Sequence, residues 1–260
     1  MKLWRRHRRT TPRLDPRVQA DTWQACSLLL DYPDELLVER LPLLRETVAG
    51  LSPEIAEPLG RFLHHAGTTD LAALQQAYVE TFDVTRKCAL HLTYFLHGDT
   101  RNRGVALVQF KQLYRRHGVE LSDHDAELPD HLSVILEFGA TVAPEAAWKV
   151  LNEHRVGIEL LRRALLHRES PWADVVQAVR ATLPELQGDD NVALARLIAE
   201  GPPQETVGLD DRALNAPYAI DPALDELRTP PTGGGCGDGA PTPDPHGVSL
   251  GPTIPVGAPR

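Results

Sequence analysis

The sequence predicts an all-α protein, a single bundle-like domain of eight to ten helices. Two observations carry that prediction. Apolar residues recur three and four positions apart in nearly every segment between residues 16 and 201, the spacing that puts them on one helix face. Helix punctuation accompanies them throughout, with prolines at first-turn positions, aspartates or serines just ahead, and glycines just behind. No segment shows the alternation of a half-buried strand, and no repeat of fixed period is present.

In chain order, Val18, Trp23, Cys26, Leu29 and Leu30 share a broad face of a helix over 16–31, with Pro16 in its first turn. A second helix begins near Asp34, and Pro42 is expected to kink or split it. Ser52 and Pro53 open a third, which Gly67 is placed to stop. Asp70 caps a fourth, carrying Leu71, Leu74, Tyr78 and Phe82. Residues 88–95 read as helix and His97-Gly98-Asp99 as a turn, with Asp99 or Thr100 available to cap the next helix. Over 102–117 the apolar positions are Val105, Leu107, Val108, Phe110, Leu113 and Tyr114, and Gly118 ends the run. Pro129-Asp130 starts a helix to about Thr141. Pro144 opens the longest helix, through Trp148, Leu151, Val156, Leu160, Leu161 and Leu165. Pro171 and Asp189-Asp190 start two more, the last ending at Gly201.

The two ends differ from this body. Residues 1–17 carry seven basic groups and one acid, a basic extension of net charge +6; the whole chain is −9, which leaves −15 for the rest. Residues 202–260 read as an irregular to disordered tail. Its last 32 positions contain eight prolines and eight glycines, too little apolar surface to offset the entropy of ordering. The helical domain is therefore expected over 18–201.

Several function classes are excluded on composition or spacing. An acidic body makes a poor nucleic-acid binder, because phosphate contacts need clustered cations, whereas it suits a basic peptide. No run of 18 apolar residues exists, so stable membrane insertion is not expected. Three scattered cysteines, Cys26, Cys88 and Cys236, fit a reducing cytoplasm. The glycine run at 233–239 lacks the strand, helix and Gly-Lys-Ser/Thr element of a phosphate loop. Cys88 and His91 have ligand spacing, but a structural zinc site needs a second pair and none is apparent. Ser133 beside His131 has no nucleophile elbow. No cofactor, metal or catalysis is expected.

Two patches stand out from the plain helical background. Residues 78–104 read YVETFDVTRKCALHLTYFLHGDTRNRG, and residues 127–140 read ELPDHLSVILEFGA. Tyr78 and Phe82 share a face, as core or as the lining of an apolar groove. Arg101 and Arg103 can hold carboxylates by bidentate bonds, or sit in a solvated loop. Glu127, Asp130 and His131 lie at a helix start, where Asp130 either caps that helix or pairs with a basic partner. Gly98, Gly104 and Pro129 read as turn residues.

Together the patches resemble the signature segments of the nitrate reductase molybdenum-cofactor assembly chaperones, the delta-subunit family. The resemblance runs from Thr22–Tyr32 through LHLTYFLHGDTRNRG at 90–104 to ELPDHL at 127–132, within about residues 20–200. The His-Gly-Asp-Thr-Arg-x-Arg-Gly element is its most specific part. It implies a helical cytoplasmic chaperone, not an enzyme. Such a chaperone binds the N-terminal segment of the immature, cofactor-free catalytic alpha subunit until the molybdenum cofactor is inserted. The beta subunit and cofactor-delivery proteins are further partners of that kind. By analogy, client-binding residues would be Tyr78, Phe82, His97, Arg101, Arg103, Glu127, Asp130 and His131, with Asp130 and His131 at the peptide-binding surface. The alternatives are a proofreading chaperone for another exported molybdoenzyme, a helical metal-binding protein using Cys88, His91 and His97, and a scaffold docked on lipid by its basic end.

Overall fold

Aspartate caps and first-turn prolines set the helix starts in the computed structural model, which describes residues 14–121 and 127–203. Asp15 accepts from the Arg17 amide at 2.9 Å and opens α1 (Pro16–Leu30). Asp34 accepts from Leu37 at 2.8 Å and opens α2 (Glu35–Ala49), and Asp70 does the same for α4 (Leu71–Phe82) at 3.1 Å. Between them runs α3 (Pro53–Thr68). A 3-10 turn at Arg86–Cys88 leads to a short α5 (Leu92–His97) and then α6 (Arg101–Arg116). The chain continues as α7 (Leu132–Thr141), α8 (Pro144–Glu153), α9 (Arg155–His167), α10 (Trp172–Ala181) and α11 (Asp189–Glu200). The protein is all-helical among the described residues; the only β feature there is one antiparallel bridge, His91 with His131. No described helix is long and apolar enough to cross a membrane.

The core forms where α1 lies against α7 and α10, with α3 against α10. Trp23, Cys26, Leu29 and Leu30 of α1 have no exposed surface. Two indoles tie this centre together: Trp23 Nε1 donates to Thr182 Oγ1 at 3.0 Å, and Trp172 Nε1 to the Leu29 carbonyl at 3.1 Å. Phe62, Tyr78 and Phe82 surround the Trp172 ring with centroids at 5.5–5.6 Å. α7 reaches α1 this closely because of Gly139, where a Cβ would stand 2.6 Å from both Trp23 and Ala147.

Five expectations need correction. Eleven helices are found among the described residues, one more than the upper estimate, because the run from Pro144 breaks at His154. There the His154 ring donates from Nδ1 to the Val150 carbonyl at 2.9 Å, and Arg155 turns back onto the Asn152 carbonyl at 2.6 Å. Pro42 does not split α2, since it lies on the exposed side and the carbonyl it leaves unpaired can meet water. Gly67 does not stop α3; it makes room for the Arg45 guanidinium, which donates to the Leu63 carbonyl at 3.2 Å. On α6 the buried residues are Ala106, Phe110 and Tyr114, while Val105 and Val108 are exposed. Gly104 is inside α6 rather than in a turn. The basic residues 1–13, residues 204–260 of the expected tail and Cys236 lie outside the described residues.

Two glycines should respond oppositely to the same change. Gly139→Ala overpacks the α1–α7 contact and should cost about 1–3 kcal/mol. Gly104→Ala adds a methyl to open space within a helix and should stabilise by about 0.5–1 kcal/mol. Urea unfolding of both variants checks the signs.

Candidate functional site

The two patches meet through two backbone hydrogen bonds. The Leu132 amide donates to the Leu90 carbonyl at 2.9 Å, and the Leu92 amide to the Asp130 carbonyl at 3.0 Å, so residues 90–92 and 130–132 run antiparallel. This pairing delivers the Asp130 carboxylate to the first turn of α5. Its Oδ2 accepts from the Thr93 amide at 3.2 Å and from the Thr93 hydroxyl. Asp130 therefore caps a helix 37 residues earlier in the chain, and not its own. The expected self-cap fails because α7 starts two residues later than Asp130, with His131 at the cap position.

The carboxylate is fully buried, with an imidazole and a guanidinium beside it. His91 Nδ1 lies 3.3 Å from Oδ1, an ion pair when the ring is protonated. Arg103 Nη2 lies 3.9 Å from Oδ2, Nη1 is 3.4 Å from Asp99 Oδ1, and Nε donates to Thr93 Oγ1 at 3.4 Å. The guanidinium also sits 6.0 Å from the Tyr94 ring centroid. Burial alone would raise the Asp130 pKa, but the bonds from His91 and Thr93 and the charges of His91 and Arg103 outweigh it and hold it below its usual value.

His131 faces inward as well. Its Nδ1 is 2.6 Å from Ser133 Oγ, and its ring meets that of His91 edge-on at 5.3 Å. Burial, with the like charge of His91, lowers its pKa to about 3, against a partial pull upward from Asp130. The segment is anchored on both sides: Tyr114 Oη donates to the Pro129 carbonyl at 2.6 Å, and Ser27 Oγ to the Ser133 carbonyl at 2.9 Å. Pro129 lies in the turn closed by the His131 amide on the Leu128 carbonyl at 2.8 Å.

The residues singled out from sequence thus divide into groups. Arg103, Asp130 and His131 converge on one buried hub, which His91 and Thr93 complete; neither of those two was anticipated, because their role depends on the bridge and not on local spacing. Asp130 and His131 are 0% and 4% exposed, so the expectation that they lie at a surface is corrected for this conformation. Tyr78 and Phe82 are core, packed 4.7 Å apart and against Trp172, and Tyr78 Oη donates to the Leu30 carbonyl at 3.0 Å. His97 and Arg101 stand on either side of the Gly98 turn, the one ending α5 and the other starting α6. Cys88 and His91 are not on a common helix, since Cys88 ends the 3-10 turn and His91 is extended.

Glu127 belongs to a second place. Burial raises the pKa of the Tyr78 phenol, and the charges of Asp31, Glu127 and Asp83 raise it further, so three carboxylates stand within electrostatic reach of that hydroxyl. Tyr32 meets Tyr78 edge-on at 5.5 Å and is half exposed. Val79 on α4 and Leu128, next to Glu127 in the chain, are exposed as well, so apolar side chains are exposed in the same stretches of chain that carry these carboxylates.

The amino-acid comparisons converge on one family. A family model described as nitrate reductase delta subunit matches residues 48–178. The nitrate reductase-like protein NarX of Mycobacterium tuberculosis is 39% identical over 160 residues, covering 62% of this chain and 24% of NarX. The probable nitrate reductase molybdenum cofactor assembly chaperone NarJ of Bacillus subtilis is 32% identical over 163 residues, covering 62% of this chain and 88% of that protein. The nitrate reductase molybdenum cofactor assembly chaperone NarJ of Escherichia coli is 37% identical over 150 residues, 56% of this chain and 63% of that protein. The chain thus spans about a quarter of the length of the NarX relative.

The hub makes stability acid-sensitive. The native state resists protonating His131 down to about pH 3, while the unfolded chain takes up that proton from its ordinary value of 6.5, so stability falls as pH drops below 6.5. Each pH unit in that window costs about 1.4 kcal/mol for this one group. Asp130 adds a loss at lower pH, because its lowered pKa gives stability that is present above the ordinary carboxylate value and disappears as pH falls through the native one. His131→Gln should flatten the fall in unfolding free energy between pH 6.5 and 4.5, leaving the contribution of His154, whose pKa burial also lowers. Equal slopes for wild type and variant in denaturant titrations would reject the assignment.

Proposed function

Because the chain belongs to the nitrate reductase delta-subunit family, we propose that it is a cytoplasmic, non-catalytic assembly chaperone for a respiratory nitrate reductase. Its client is the immature alpha subunit, held by its N-terminal segment until the molybdenum cofactor is inserted. The helical region 18–201 is the chaperone domain, and the basic extension and the tail are additions to it. The beta subunit and the cofactor-delivery proteins are further partners. Relatives named as nitrate reductase molybdenum cofactor assembly chaperones support this reading.

What supports it is a set of exposed apolar residues, Tyr32, Val79 and Leu128, in the same stretches of chain as acidic ones, and we read them as one acid-rimmed apolar face. A cationic amphipathic segment needs an apolar seat and a rim of opposite charge, and Tyr32, Val79 and Leu128 with Asp31, Asp83 and Glu127 supply both. Apolar anchors give most of the affinity, while the rim gives orientation and association rate. In this reading Asp130 and His131 act from below, by fixing the turn that presents Glu127 and Leu128, and so are positioning residues.

Isothermal titration with a peptide copying the N-terminus of the same organism's alpha subunit is the test. One-to-one binding at micromolar or tighter affinity is expected. The double variant Asp31→Lys with Glu127→Lys should weaken it about tenfold, with a reduced dependence on salt. Undiminished affinity in that variant rejects the face. Preference for the targeting segment of another exported molybdoenzyme would reassign the client.

A further inference from the structure

α11 is the helix least held by packing. Of its twelve residues only Leu194 is buried, and Val192 and Ile198 are exposed. A helix of this length is marginal on its own. Its anchor is one ion pair to the start of α9, where Arg155 Nη2 lies 2.7 and 2.8 Å from the two Asp190 oxygens and Nε donates at 3.1 Å. Both side chains are largely shielded, at 13% and 14% exposure, so the pair is worth more than a surface contact. The break at His154 is what makes Arg155 the first residue of α9 and aims it at Asp190.

Beyond α11 the chain turns at Gly201, whose φ is +77°, and residues 202 and 203 come to rest on Gly98. A Cβ on Gly98 would stand 1.7 Å from the Pro203 carbonyl oxygen and 2.9 Å from its carbon, and the Gly98 φ is +57°. Two backbones meet here with no side chain between them. Gly98 opens the turn in which Asp99 contacts Arg103, and Arg103 contacts Asp130. From the other side α9 holds α5, since Gly157 leaves just enough room for the Phe95 ring, 3.0 Å from a Cβ there. Gly98, the buried residue of this turn, is therefore covered by the chain that follows α11, the least packed helix among the described residues, and the turn is connected to the buried charge of Asp130.

We propose that α11 with residues 201–203 is a strap that closes over the Gly98–Arg103 turn, holds the Asp130 hub shut, and lifts when a client segment docks. The link to the client rests on the chaperone reading above; the strap itself does not. When the strap lifts, Gly98 loses its cover, the turn that sets Asp99 against Arg103 loosens, and the hub can release the 127–132 segment that carries Glu127 and Leu128. A protein closed most of the time binds with an affinity reduced by the fraction open, so weakening the strap should strengthen binding.

Hydrogen exchange of the full chain, read by mass spectrometry, tests this on Asp190→Asn. Amides of 98–104 should exchange about tenfold faster, together with those of α11, while α1 and α7 keep wild-type rates. The swapped pair Arg155→Asp with Asp190→Arg should restore protection, and Arg61→Ala, which removes an exposed ion pair elsewhere, should leave 98–104 unchanged. Faster exchange in α11 with wild-type rates at 98–104 overturns the strap. If Asp190→Asn does not fold, Gly98→Ala reads the same coupling in reverse: its Cβ must displace residue 203, so α11 should lose protection, and unchanged protection overturns the proposal. Titration with the alpha-subunit peptide then gives the second arm. Several-fold tighter binding by Asp190→Asn is expected; equal affinity beside faster loop exchange overturns control of docking by the strap. Absence of binding by wild type and variant alike counts against the chaperone client, and the exchange rates still decide the strap.

Discussion

A carboxylate with no access to water sits where residues 90–93, α6 and the 127–132 segment come together, and its need for partners organises them. Burying the Asp130 charge is unfavourable unless hydrogen bonds and cations compensate it. The compensation comes from Thr93 in the first turn of α5, from His91 just before it, and from Arg103 one turn into α6. α5 gains as much as it gives. Six residues cannot hold a helix by their own hydrogen bonds, and a negatively charged cap on the first turn satisfies an orphan amide and complements the helix dipole. The same aspartate thus allows α5 to exist, fixes α6 against it, and pins the 127–132 segment beside 90–93. Tyr114 and Ser27 extend the set by bonding the carbonyls of Pro129 and Ser133.

The helices were legible in the sequence because their signals are local. Asp15, Asp34 and Asp70 act on amides two or three positions ahead, and Pro53, Pro144 and Gly201 mark ends through their own backbone preferences. The misreadings arise where a distant group decides. Gly67 looks like a stop until Arg45 occupies the space of its missing side chain. The helix from Pro144 has unbroken apolar spacing, yet it ends at His154, where Arg155 turns toward the Asn152 carbonyl and Asp190. Asp130 has every local mark of capping its own helix and caps another, because a two-bond bridge moves it 37 residues back along the chain. Spacing also shows that residues share a face without saying which way that face points: Val105 and Val108 look outward, while Tyr78 and Phe82 look inward.

The interior and the periphery differ in how they are held. Around Trp23 and Trp172 the helices interlock through large rings, close glycine contacts and two indole hydrogen bonds, so that region resists small displacements. At the edge, the Gly98 turn and α11 depend on ion pairs and single backbone contacts. Elements held in that way open at lower free-energy cost than the core. The chaperone role proposed above would use both, a frame that keeps its seat in shape and a margin that can yield.

Some of the residues that carry the family resemblance are not where a partner could touch them. Gly98, Asp130 and His131 are buried, and Arg103 is spent on Asp99, Thr93 and Asp130. Their types are set by internal demands: a left-handed turn under a crossing backbone, a charge that must be matched, and a neutral imidazole between a hydroxyl and a second ring. The acid-rimmed face makes weaker demands on residue type, since any apolar group at Tyr32, Val79 or Leu128 and any carboxylate at Asp31, Asp83 or Glu127 would give a similar surface. In the proposed function, specificity for one client among related ones would rest on where the hub sets Glu127 and Leu128 relative to the Tyr32–Tyr78 edge.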